Sequence, residues 1–162
     1  MKALQIPAAV TLDASATNIT SETVWGNVTI PAEYLVPGRK IRVQAFVSFS
    51  ATVGTDTWAT KVRLGGVSGE LLVSGGDHDI RDDEAVSFDG WFIVGDDSKA
   101  RGYAGLSGGA VDNGFVANEF ATSATYGASD LTVDITATCS TQAANIGTLQ
   151  ALRVEILPGV TA

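Results

Sequence analysis

Two stretches in which apolar residues occupy every second position constrain the fold of this chain more than any other feature, although Phe46 interrupts the polar positions of the first. In the first, residues 28–50, the alternating apolar positions are Ile41, Val43, Ala45, Val47 and Phe49. In the second, residues 130–140, they are Leu131, Val133, Ile135, Ala137 and Cys139. A period of two is typical of a β-strand with one buried face. Both stretches therefore predict strands of an all-β core, with the single cysteine, Cys139, buried in it.

Shorter segments predict the remaining strands, at residues 21–30, 58–64, 71–73, 85–94, 99–106, 115–120 and 148–157. Glycine, proline and aspartate separate these segments, and the Gly-Asp-Asp-Ser sequence at 95–98 predicts a hairpin turn. No stretch has a helical period longer than about one turn, at residues 32–36 after Pro31. About eight or nine strands with regular turn signals predict a two-sheet antiparallel β-sandwich. A jelly roll is favoured over an immunoglobulin-like sandwich.

Length and charge limit the possible organisation and partners. Residues 1–20 are rich in Thr, Ser and Ala and predict an N-terminal arm or edge strand, with apolar positions at Val10 and Leu12. Residues 21–162 predict a single β-sandwich domain. The net charge of −8, with ten scattered Lys and Arg residues, argues against a nucleic-acid partner. No apolar run approaches the roughly 18 residues that cross a membrane, so no membrane partner is expected.

Two motifs are candidate sites of chemistry. The residues Gly105-Leu106-Ser107-Gly108-Gly109 match the G-x-S-x-G pattern of hydrolases, which needs a strand-to-helix turn and a histidine base. No helix is predicted there and the only histidine is His78, so we interpret the motif as a glycine-rich loop and predict no enzyme activity.

The second motif is the acidic segment 77–84, which we interpret as a solvated loop. Its carboxylates form a weak candidate cation site, because Ca²⁺ takes oxygen ligands from flexible loops: Asp77, Asp79, Asp82, Asp83 and Glu84. The spacing matches neither an EF-hand nor a zinc site. A catalytic carboxylate pair is the remaining alternative, and no cofactor is predicted.

Several large side chains fall on the strand face opposite the predicted core. The interface candidates among them are Trp25, Phe46, Trp91 and Ile93, with Val10 and Leu12 of the N-terminal segment. Such side chains fill a subunit or partner interface, stack on sugars, or pack beneath loops. The sequence leaves these three interpretations open.

The segment 29–43, with the pattern T-I-P-A-x-x-L-x-x-G-x-x-I-R-V, resembles a segment common in structural proteins of tailed bacteriophages. The resemblance continues at Asp56-Thr57-Trp58, at residues 64–66, at 86–94, and at 131–156 with its D-I-T-A-T-C-S sequence. The chain is most similar to capsid decoration, or cement, proteins with a jelly-roll fold.

This resemblance implies a virion protein that sits on the capsid surface as a homotrimer, binds the major capsid protein and is made in the bacterial host cytoplasm. It implies no catalytic residue. The alternative is a carbohydrate-binding β-sandwich module of a head fibre or tail, used in host recognition.

Overall fold

The computed structural model describes residues 4–6, 14–17, 19–50, 57–74, 78–79, 85–108, 115–122, 125–140 and 146–157. The strands are β1 (Leu4–Ile6), β2 (Ala14–Thr17), β3 (Thr23–Ile30), β4 (Lys40–Ser50), β5 (Thr57–Leu64), β6 (Glu70–Ser74), β7 (His78–Asp79), β8 (Ala85–Val94), β9 (Ala100–Gly108), β10 (Phe115–Ala121), β11 (Leu131–Cys139) and β12 (Ile146–Leu157). A 3₁₀ helix, Ala32–Tyr34, forms the predicted single turn after Pro31. Within these ranges no helix is long and apolar enough to span a membrane.

The strands form two antiparallel sheets. Sheet A has the order β1-β12-β4-β8-β9-β10, with β2 also paired to β12, and sheet B has the order β3-β11-β5-β6, with β7 also paired to β5. The chain crosses between the sheets, as from β3 to β4 and from β11 to β12, whereas β8, β9 and β10 follow one another as neighbours within sheet A. The predicted two-sheet antiparallel β-sandwich is confirmed.

The hydrophobic core lies between the two sheets and is formed by the alternating apolar residues that the sequence predicts to be buried. On β4 the five alternating apolar residues from Ile41 to Phe49 are all buried, and on β11 the five from Leu131 to Cys139 are buried as well. The predicted hairpin at 95–98 joins β8 to β9, and Gly95 N–H donates to the carbonyl oxygen of Lys99 at 2.9 Å. Burial of these apolar faces is the main stabilising contribution in such a sandwich.

The prediction that Trp25 lies on the outer face is wrong, because this side chain belongs to an aromatic cluster at one end of the core. Trp25 is only 5% exposed, and its ring centroid lies 5.5 Å from that of Trp58 and 5.8 Å from that of Phe49. The cause is a β-bulge: Ile135 pairs with Gly26 and Thr136 with Val24, so Trp25 is an extra residue that turns inward. Trp25 is therefore a core residue and is not available as an interface candidate.

The N-terminal strands attach to the edge of sheet A. β1 pairs with the end of β12 through Leu4–Ile6, and β2 pairs with its beginning through Ala14–Thr17. The chain then passes to sheet B, where Cys139 N–H donates to the carbonyl oxygen of Ile19 at 2.6 Å. The division of the chain into an arm at 1–20 and a domain at 21–162 stays a prediction, and the side chains of Val10 and Leu12 lie outside the described residues.

Candidate functional site

The outer face of sheet A carries the two most exposed aromatic side chains in the described part of the sandwich. Phe46 is 41% exposed and Trp91 is 36% exposed, whereas Ile93 is half-buried. On β8 the neighbouring positions Val86, Phe88, Phe92 and Val94 are buried. The predicted outward orientation of Phe46 and Trp91 is therefore confirmed, although their role as interface residues stays a prediction.

Trp91 lies beside a shallow depression, which we call the Trp91 depression. It has a volume of about 520 Å³, and its lining includes Lys40, Arg42, Ser87, Asp89, Trp91 and Tyr103. Strand pairing determines this grouping, because Trp91 lies opposite Arg42 of β4 on one side and opposite Tyr103 of β9 on the other. Gly105 and Ser107 continue the lining along β9. The missing side chain of Gly105 and the small side chain of Ser107 leave room above the sheet between the larger groups.

A lysine ammonium group sits on the indole of Trp91. The Nζ atom of Lys40 lies 4.3 Å from the ring centroid, which is within the range of a cation–π interaction. Lys40 forms no salt bridge with any residue in the described part of the chain. The depression therefore contains a positive charge that the indole face contacts and that no described carboxylate neutralises.

An ion pair between Arg42 and Asp89 also lines the depression. Arg42 Nε donates to Asp89 Oδ1 at 3.0 Å, and Arg42 Nη2 donates to Asp89 Oδ2 at 2.6 Å. The hydrogen bonds to Asp89 raise the pKa of the Arg42 guanidinium above its usual value. This two-point geometry holds both planar groups in one orientation and leaves further N–H donors and carboxylate lone pairs for another molecule.

A second depression, of about 620 Å³, lies on the other side of Trp91. Ile93, Arg101 and Glu119 contribute to its lining. Arg101 forms an exposed ion pair with Asp97, and its guanidinium lowers the pKa of that carboxyl group below the usual value. Trp91 lines both depressions.

The residues of the candidate cation site lie mostly outside the described part of the chain. Asp77, Asp82, Asp83 and Glu84 lie outside the described residues, and Asp79 is described only as a backbone partner of Thr57 in the pairing of β7 with β5. No group of three or more His, Cys, Asp or Glu residues in the described ranges is arranged to hold a metal ion. The candidate cation site thus stays a prediction.

The G-x-S-x-G motif was expected to form a glycine-rich loop, but its first four residues, 105–108, are part of a strand. Gly105 to Gly108 belong to β9, where Ser107 pairs with Ser87 of β8 and with Phe115 of β10. Gly108 adopts a φ of 140°, and an added Cβ would lie 2.0 Å from the carbonyl oxygen of Ala85. Gly108 therefore permits a close approach of β9 to β8, and a glycine at this position needs no catalytic explanation.

Sheet B carries a polar arrangement that the sequence did not reveal, which we call the Glu22 cluster: Glu22, Lys61, Arg63 and Thr136. Arg63 donates to Glu22 Oε1 at 2.5 Å and to Oε2 at 3.0 Å, and Lys61 Nζ donates to Oε2 at 3.0 Å. Thr136 Oγ1 donates to Glu22 Oε1 at 2.6 Å. Despite the opposing effect of partial burial, these bonds lower the pKa of Glu22 from 4.5 to about 2, with Arg63 the largest cause. The cluster ties the start of β3 to β11 and β5.

Comparisons with known proteins give a likeness in fold only. No protein-family model matches the chain, and no curated protein sequence matches it. Similar solved structures include peanut lectin with a nine-residue peptide, with a TM-score of 0.48 and 9% identity over 95% of this chain and 91% of the lectin chain. They also include the infectious bursal disease virus Gx strain, with a TM-score of 0.45 and 8% identity over 99% of this chain and 34% of the viral chain.

A third similar structure is the VP2 subviral particle of the same virus, with a TM-score of 0.41 and 10% identity over 98% of this chain and 33% of the viral chain. This chain thus spans about a third of each viral chain. At such identities and TM-scores the likeness carries no functional argument. The interpretation of the outer face of sheet A therefore rests on its own geometry.

Proposed function

We propose that this chain is a non-enzymatic structural protein of a bacteriophage virion, which decorates and stabilises the capsid shell as a homotrimer. The sequence resemblance at residues 29–43 and 131–156 supports a virion protein of this kind. The capsid surface is its proposed location, and the major capsid protein its proposed partner.

The observation that carries this proposal is the attachment of the N-terminal segment. β1 and β2 have three and four residues, and in the described part of the chain both are hydrogen-bonded to β12 alone. β12 keeps its eleven-position pairing with β4 on its other side, from Ile146 to Leu157. The segment can therefore leave this edge, or pair with the edge of a neighbouring molecule, without opening the core.

Symmetric repetition supplies the binding energy in this model. Each arm contributes a weak contact, and three arms on a fixed lattice act together through their high effective concentration. Ordering an arm on the shell costs conformational entropy, so the net contribution of one arm alone is small. A trimer consequently binds the shell far more tightly than a single chain.

The test combines solution mass with capsid binding. Light scattering should give three times the chain mass of 16.7 kDa, and the protein should co-sediment with purified capsid shells. Deleting residues 1–12 should abolish co-sedimentation while the far-ultraviolet circular dichroism of the sandwich is kept. Replacing Val10 and Leu12 by serine should weaken binding, with Thr11→Ser as the matched control. A monomer that ignores shells, or full occupancy after the deletion, refutes this model.

A second candidate function is a carbohydrate-binding module of a head fibre or tail that acts in host recognition. The exposed Trp91 and the half-buried Tyr103, placed opposite each other across β8 and β9, support it. Aromatic rings with one apolar face and nearby polar groups are suited to sugar rings, which have the same mixed character. Loss of glycan-array signal in a Trp91→Ala variant would support this function, and a blank array for the unmodified protein would count against it.

A further inference from the structure

We propose that the Trp91 depression binds a glycan through an acidic pyranose, that is, a sugar ring carrying a carboxylate. This inference rests on the second of the two functions proposed above and adds to it the site and the class of sugar. The depression has a volume of about 520 Å³, which lies within the range of small-molecule sites.

The aromatic side chains supply the apolar contact. Trp91 and Tyr103 are direct partners in the pairing of β8 with β9, so both rings rise from the same face of sheet A. One apolar face of a pyranose ring can pack against this pair while its hydroxyl groups point outward. Gly105, next along the face from Tyr103, adds no side chain that would block the approach.

The polar side chains that line the depression would fix the orientation of the bound sugar. The Arg42–Asp89 pair is held by two hydrogen bonds, of 3.0 and 2.6 Å, and both members line the depression. A fixed donor beside a fixed acceptor matches two neighbouring sugar hydroxyls, each of which donates one hydrogen bond and accepts another. Ser87 and Ser107 lie directly opposite each other on β8 and β9 and place two more hydroxyl groups on the same wall.

The charge of the depression selects the class of sugar. Lys40 and Arg42 contribute two positive charges and Asp89 one negative charge, so these three lining residues leave a net charge of +1 in a chain whose total is −8. The charge that remains is the Lys40 ammonium, which contacts the Trp91 ring and no described carboxylate. A sugar carboxylate is a stronger partner for an ammonium than an indole face, so Lys40 should turn from the ring to the ligand as the sugar packs on Trp91.

The test uses a galacturonic acid trisaccharide and its methyl ester, which has the same ring skeleton without the charges. A parallel arm compares sialyllactose with lactose, and so distinguishes a uronate from a sialic acid as the acidic ring. Binding is followed by tryptophan fluorescence, since Trp91 is exposed whereas Trp25 and Trp58 are buried. We expect one acidic probe to bind about tenfold more tightly than its neutral counterpart, and this preference should shrink as salt is added.

Three variants locate the site. Trp91→Ala should weaken the binding of acidic and neutral probes at least tenfold, as followed by calorimetry. Lys40→Gln is a surface change that leaves the fold intact, and it should remove the preference for the acidic probe while keeping the neutral one. Phe46→Ala is the matched control, because Phe46 is an exposed aromatic residue of the same face that does not line the depression. It should change neither affinity.

The outcomes separate this inference from the proposed function beneath it. If the acidic probe binds equally well to Trp91→Ala, the site is overturned but the carbohydrate function survives. If the neutral probes bind as tightly as the acidic ones, the assignment of an acidic sugar is overturned. If the unmodified protein binds none of the probes and gives a blank glycan array, the carbohydrate function and the site both fail.

Discussion

Replacing Glu22 by glutamine tests the Glu22 cluster on sheet B, and the structure gives the expected size of the effect. The side chains of Glu22 and Arg63 are 17% and 16% exposed, so their ion pair is shielded from water. The pKa of Glu22 falls from 4.5 to about 2, and at about 1.4 kcal/mol per pKa unit this corresponds to roughly 3 kcal/mol of folding free energy. Glu22→Gln should therefore lower the free energy of unfolding at pH 7 by about 2–3 kcal/mol, since it leaves the Arg63 and Lys61 cations without their shared carboxylate.

The same contribution predicts a pH dependence with a definite sign. The folded state lowers the pKa of Glu22, so the carboxylate stabilises the protein above pH 4.5, and this stabilisation is lost as the pH falls from about 4.5 to about 2. Urea unfolding at pH 7, 4.5 and 3 should show the stability difference between the unmodified protein and Glu22→Gln narrowing at the lower pH values. An equal stability of the two proteins at pH 7, or a difference that stays constant with pH, would refute the reasoning.

Asp89→Asn is the matched control for this experiment. The Arg42–Asp89 pair also has two hydrogen bonds, but its side chains are 39% and 55% exposed. Water and salt screen such a pair, and exposed ion pairs contribute about 0–1 kcal/mol. Asp89→Asn should therefore change the free energy of unfolding far less than Glu22→Gln, although the polar groups involved are of the same types.

Two further predictions concern glycine and the left-handed backbone region. Gly147→Ala should lower stability by about 1–3 kcal/mol in urea unfolding, because an added Cβ would lie 2.3 Å from Cζ2 of Trp25; an unchanged midpoint would show that the aromatic cluster can shift. Ser98 has a φ of 58° in the turn between β8 and β9, so Ser98→Gly should raise the melting temperature slightly, by an amount corresponding to about 0.5–1 kcal/mol. A lower melting temperature would contradict this account of the turn.

Most of the strands could be predicted because their signal is local. The predicted segment at 85–94 coincides with β8, the segment at 58–64 begins one residue later than β5, and the segment at 130–140 extends one residue beyond β11 at each end. The same alternation predicted that Trp91 points away from the core. It failed at Trp25, because a bulge depends on the partner strand β11, about 110 residues further along the chain, as well as on β3 itself.

The candidate site was predictable only in part. Trp91 was identified as an outward aromatic residue, but its grouping with Arg42 and Tyr103 was not, because it depends on β8 lying between β4 and β9. The hydrogen bonds from Arg42 to Asp89 join residues 47 positions apart. The Glu22 cluster joins positions that are further apart still, such as Glu22 and Thr136.

The all-β class, the positions of most strands and the buried face of most strands could be predicted from the sequence alone. These properties follow from side chains that alternate along one strand and from turn residues between strands, and neither depends on distant parts of the chain. The pairing of neighbouring strands, the positions of the bulges and the polar contacts on the outer faces became known only from the folded structure. Those features arise from the packing of the two sheets against each other, where the best burial is reached by contacts between residues far apart in the sequence.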